Sequence, residues 1–136
     1  MSKEFTNSTF MQLFLAELAN KNQILLDFVQ LGRRLYEFSQ MEKYYSLFQD
    51  FKNKGQIKNG VIDMREVLEI VIKLQLLGVK RFPENSNNLI IKMSHSQAQL
   101  FLQISDPSKV SQMDELVSAY IDKYYNQKQA ASNKTK

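Results

Sequence analysis

Between residues 63 and 78 the chain carries a helical pattern that is apolar around most of its girth. Met64, Val67, Leu68, Ile70, Val71, Ile72, Leu74, Leu76 and Leu77 leave only Arg65, Glu66, Glu69 and Lys73 on one narrow polar stripe. A helix of this kind has to be covered on several sides, so the pattern predicts a central core helix around which the other elements pack. Its ends are marked as well. Asp63-Met-Arg-Glu66 has the form of a capping box, and Gly78 supplies the left-handed stop that helix ends favour. Glu69 stands four residues before Lys73, the favourable order for an exposed pair.

The stretch after Gly78 changes period. Val79-Lys-Arg-Phe82 is followed by the turn-forming run 83–88, where proline fixes φ and asparagines tolerate positive φ. Leu89, Ile91 and Met93 then alternate with Ile90, Lys92 and Ser94, giving one apolar face at a spacing of two. These features predict a β-hairpin over 79–94. A hairpin this small has to lie on helices, with a third short strand expected near Ile57 or Val61.

Residues 1–7 read as a flexible arm. A first helix is expected from Ser8 or Thr9 to about Ala19, with Phe10, Leu13, Phe14 and Leu18 on one face. Asn20-Lys-Asn22 breaks it, and a second helix over about 23–38 carries Gly32 as a point of close packing or a kink. A third is expected over about 41–51. The loop 52–60 follows, in which Asn59-Gly60 is the favoured pair for a type I′ turn and a tiny hairpin. Ser94-His-Ser-Gln97 repeats the capping-box form before a short helix through Leu100, Phe101 and Ile104. Asp106-Pro107 places a cap before a first-turn proline and opens a last helix over about 107–126. Residues 127–136 read as a disordered polar tail. The fold class is therefore mainly α (α+β): about six helices with one small hairpin after the central helix, in a single domain over 8–126.

Charge narrows function. The net charge is +4, but residues 1–51 hold five Lys/Arg against six Asp/Glu, whereas residues 52–92 hold eight against four. The positive excess is concentrated in the central helix, the hairpin and the loop before them, an asymmetry that fits either an anionic partner or a solvated loop kept polar. The chain has no cysteine, so thiolate nucleophiles, disulfides and thiolate metal sites are excluded. The longest apolar runs are too short for a membrane span, and the first residues lack a secretory pattern, so a cytoplasmic location without membrane contact is expected. His95 is the single histidine, and the four glycines build neither a phosphate loop nor a dinucleotide fingerprint. No calcium-loop spacing occurs either. The chain is expected to be non-enzymatic, with no cofactor and no metal.

Over about residues 22–94, the order helix, helix, loop, helix, hairpin resembles the latter part of a winged-helix domain. The resemblance implies that the helix before the hairpin enters the major groove of DNA and that the run 83–88 is a wing beside the phosphates. Lys80, Arg81 and Lys92 would then be backbone contacts, aided by Lys52, Lys54, Lys58 and Arg65. Glu66 and Glu69 on that helix oppose the assignment, because phosphate repels them. The connection 52–62 is also longer than a helix-turn-helix turn. The alternative is a protein-protein interaction module with an aromatic helical surface and a protein partner. Val110, Met113, Val117, Tyr120 and Tyr124 recur by threes and fours along the last helix, a spacing that suits either packing on the domain or a homodimer seam.

Overall fold

The computed structural model describes residues 5–23, 25–67, 69, 79–81 and 88–126. The protein is mainly helical, with a small antiparallel sheet that includes the hairpin after the central helices.

Helix α1 (Asn7–Asn20) opens where the Thr6 hydroxyl accepts a hydrogen bond from the Thr9 N–H at 3.2 Å. Its core face is far wider than the four residues first expected. Phe10, Met11, Leu13, Phe14, Leu15, Ala16 and Leu18 are all buried, because the later helices α4 (His95–Ile104) and α5 (Pro107–Ile121) both pack against it. Among the described residues α1 is thus the helix enclosed on several sides. Met64 and Val67 of the organising stretch join the same core, while residues 68 and 70–78 of that stretch lie outside the described residues.

The expected helix over 23–38 is divided. Leu25–Asp27 form strand β1, and α2 (Phe28–Ser39) starts only after it. The Asp27 carboxylate accepts from the Gln30 N–H at 3.2 Å, so Asp27 is the cap of α2 and marks its true start. Asn22, with φ of 64°, makes the left-handed turn between α1 and β1. The expected third helix is likewise a 3₁₀ helix, Glu42–Leu47, followed by the short α3 (Gln49–Asn53).

Strands β2 (Ile57–Lys58) and β3 (Val61–Ile62) form the tiny hairpin, joined by Asn59 and Gly60 with φ of 52° and 80°. Gly32 explains why β3 can lie on α2. A Cβ there would stand 2.4 Å from the Ile62 carbonyl oxygen, so the glycine is a site of close packing. Residues 65–67 and 69 are helical. β4 (Val79–Arg81) and β5 (Asn88–Ile91) pair antiparallel, and the sheet order is β1–β5–β4. The third strand is therefore β1, not the segment near Ile57 or Val61.

Two end signals read from sequence hold differently. Ser94 and Gln97 make the reciprocal capping box at the start of α4. Asp63 and Glu66 do not. Asp63 accepts from the Arg65 N–H at 3.0 Å, its own N–H donates to the Gln56 carbonyl, and Glu66 turns instead to Lys54 and Gln56.

Candidate nucleic-acid interface

The ribbon β4–β5 is positioned by β1. Leu26 of β1 is buried in the core and pairs with Leu89 of β5, so the hairpin is fixed along one edge to the strand that leads into α2. The register sets Lys80 opposite Ile90 and Arg81 opposite Leu89, while Lys92 follows directly after Ile91. The backbone positions of Lys80, Arg81 and Lys92 therefore gather on one short ribbon. Ile91 is buried and Lys92 is exposed, which is the alternation expected of a strand with one face on the core. Residues 82–87, expected as the wing, and residues 70–78, including Lys73, lie outside the described residues.

The other four cations of the expected set sit on other elements and divide into two kinds. Lys52 lies in the last turn of α3 and Lys58 ends β2, and both are exposed. Lys52 also stands at the rim of a cleft of about 240 Å³ between the end of α2, the 3₁₀ helix and β2. Lys54 and Arg65 are held by carboxylates instead. Lys54 Nζ lies 2.9 Å from Glu66 and 3.3 Å from Asp50. The Arg65 guanidinium grips Asp63 at 2.6 Å and, together with its own N–H, holds that carboxyl down to about 2.

Lys54 belongs to a polar cluster that periodicity did not reveal. The buried Asn7 donates its N–H to Asp50 at 2.8 Å and its side-chain amide to Gln56 at 2.9 Å, and it accepts from Lys54 at 3.3 Å. These groups tie the start of α1 to α3, to the residues before β2 and to the helix at Arg65. Asp50 and Lys54, one turn apart, were the only part of it visible as a pair in the sequence.

The expected homodimer seam is spent inside the chain. Met113, Val117 and Tyr120 are fully buried, and Val110 and Tyr124 are half-buried against the same core. The Tyr120 ring packs edge-on against Phe14 at 5.3 Å, and burial pushes its hydroxyl up to about 12. Beside it Tyr124 donates to Glu37 at 2.9 Å, Lys123 pairs with the same carboxylate, and Arg34 lies 4.6 Å over the Tyr124 ring. The spacing fits packing on the domain because α1, not a second copy, supplies the opposing surface.

The lone histidine has a structural contact. His95 Nε2 lies 3.1 Å from the Asn20 carbonyl oxygen, joining the start of α4 to the end of α1. Among the described residues no group of three His, Asp or Glu side chains could hold a metal ion, and no helix is long and apolar enough to cross a membrane. No protein-family model matches the chain, and no curated protein or solved structure matches it.

Proposed function

We propose that the chain is a small non-enzymatic accessory or regulatory protein that binds DNA through phosphate contacts. The observation that supports this reading is the sheet order β1–β5–β4, which fixes the ribbon carrying Lys80 and Arg81, with Lys92 directly after it, along the strand that leads into α2. Phosphate binding needs several cations within reach of one duplex face, and each contact releases condensed counterions. The set that supports it is Lys80, Arg81 and Lys92, joined by Lys52 and Lys58. Lys54 and Arg65 leave the set, because their carboxylate partners would have to be displaced before phosphate could compete.

The direct test is anisotropy of a labelled duplex at low salt, with wild-type protein and the double variant Lys80→Glu, Arg81→Glu. Wild type should bind, and the double reversal should weaken binding by at least tenfold. Equal binding by the two proteins would remove the ribbon from the interface. A second reading, the protein-protein interaction module, is favoured by one specific feature: α4 presents Leu100 and Ile104 to solvent. A pull-down from native extract separates the readings, since one recovers nucleic acid and the other a protein.

A further inference from the structure

The two-residue turn between β2 and β3 carries chemistry that the proposed interface does not use. Asn59 and Gly60 are both exposed, with φ of 52° and 80°. No other asparagine in the sequence is followed by glycine. The backbone nitrogen that follows an asparagine can attack the side-chain amide carbon of that asparagine. Glycine, which has no Cβ, leaves its nitrogen open to that approach.

Three observations favour the reaction at this turn. The Asn59 side-chain amide has no hydrogen-bond partner among the described residues. By contrast, Asn53 accepts from Gln49 at 2.9 Å, and the buried Asn7 is held by Gln56 and Lys54. Space around the turn is open, because a Cβ built on Gly60 would meet nothing within 4 Å. The hairpin is also only two residue pairs deep, Ile57 with Ile62 and Lys58 with Val61. Ring closure requires the Asn59 backbone to leave its left-handed conformation, and a ladder this short opens at its tip for little free energy. Buried Ile62 anchors the far end of the hairpin in the core, so such an opening leaves the rest of the fold in place.

We propose that Asn59 is a self-modification site of the folded protein, deamidating through attack by the Gly60 nitrogen. That nitrogen gives its proton to solvent as it bonds to Asn59 Cγ. The bond from Cγ to the side-chain nitrogen breaks, and ammonia leaves with a proton taken from solvent, closing a cyclic imide. Water then opens the imide at either carbonyl, giving aspartate or isoaspartate at position 59. One water is consumed and one ammonia released, with no oxidant, reductant or cofactor. Either product carries a carboxylate at neutral pH, which removes one unit from the net charge of +4 directly after the exposed Lys58. The products differ in backbone. Asp-Gly suits the same type I′ turn, whereas isoaspartate lengthens the loop by a methylene and spoils its fit. The proposal does not rest on nucleic-acid binding.

Incubation of the full chain in buffer and in urea, at mildly acidic and mildly alkaline pH, tests this. Cation-exchange chromatography and peptide mass mapping read the outcome. Folded wild type should yield a species one positive charge lower, with the change mapping to Asn59. Conversion should be faster at alkaline pH, because the attacking nitrogen has to lose its proton. The methyltransferase that labels isoaspartate should label aged wild type and leave Asn59→Gln unlabelled. The rate in buffer should lie within a few-fold of the rate in urea, a comparison that needs no variant. A folded chain that converts more than about tenfold slower than the unfolded one would mean that the turn protects Asn59, and overturns the proposal. No conversion in buffer, conversion that maps to another asparagine, or conversion undiminished in Asn59→Gln overturns it equally.

Discussion

Glu17 is the residue whose environment conflicts most with its charge. It sits in the last turns of α1, only 2% exposed, and its carboxyl is raised from 4.5 to about 7, first by burial and then by the nearby Asp114, with Lys21 opposing. Lys21 is itself engaged by Asp114. Because the folded chain holds this proton more tightly than the unfolded chain, the contribution of Glu17 to stability is greatest below pH 4.5, declines as pH rises toward 7, and levels off above it. The span corresponds to an upper limit of about 3 kcal/mol. Glu17→Gln should therefore raise stability by about 1–3 kcal/mol at pH 8 and change it little near pH 4.5, read by urea denaturation at both values. An equal effect at the two pH values would mean that packing, not ionisation, governs the site. Nothing in the sequence signalled this. Glu17 lies between Ala16 and Leu18 in a pattern that placed only Phe10, Leu13, Phe14 and Leu18 inside, and its burial comes from α5, contributed nearly a hundred residues later.

At the scale of elements, what was legible follows from where local chemistry acts alone. The Ser94–Gln97 box, the Asp106-Pro107 start, the Asn59-Gly60 turn and the close approach at Gly32 are all decided by a few neighbouring residues or by the absence of a Cβ. The division between β1 and α2 was not legible by periodicity. Leu25, Phe28, Leu31 and Leu35 keep helical spacing straight through the junction, and only Asp27 marks the break. Strand pairing with the distant β5 decides the state of 25–27, an instance of tertiary contacts overriding a local pattern. If that cap defines the boundary, Asp27→Ala should cost about 1 kcal/mol, whereas Asp27→Asn, also a good cap, should cost only a few tenths. Equal losses in the two variants would show that the carboxylate acts through something other than the Gln30 N–H. The Asp63–Glu66 box failed for a related reason. Arg65, Lys54 and Gln56 offer those carboxylates better partners than the cap geometry does, and two of the three come from outside the helix.

For the whole molecule, the fold is mainly helical with a small antiparallel hairpin, and this much could be read from the sequence before the strands were paired. Charge was harder to read. Counting cations along residues 52–92 treats each as free, but Lys54 and Arg65 are bound to carboxylates that the same segment, or the start of α3, provides. The last helix shows the same limit: threes-and-fours spacing describes a buried face without saying whether α1 or another chain covers it. The proposed interface thus rests on the ribbon, with the exposed Lys52 and Lys58 as further candidates, giving between three and five phosphate contacts. The most direct measurement is the affinity for a labelled duplex across a salt series. The account predicts a straight decline of log affinity against log salt with a slope of roughly −3 to −4.5, made shallower by about 1 in Lys92→Gln. A flat salt dependence, or no retention of the duplex at low salt, would contradict it.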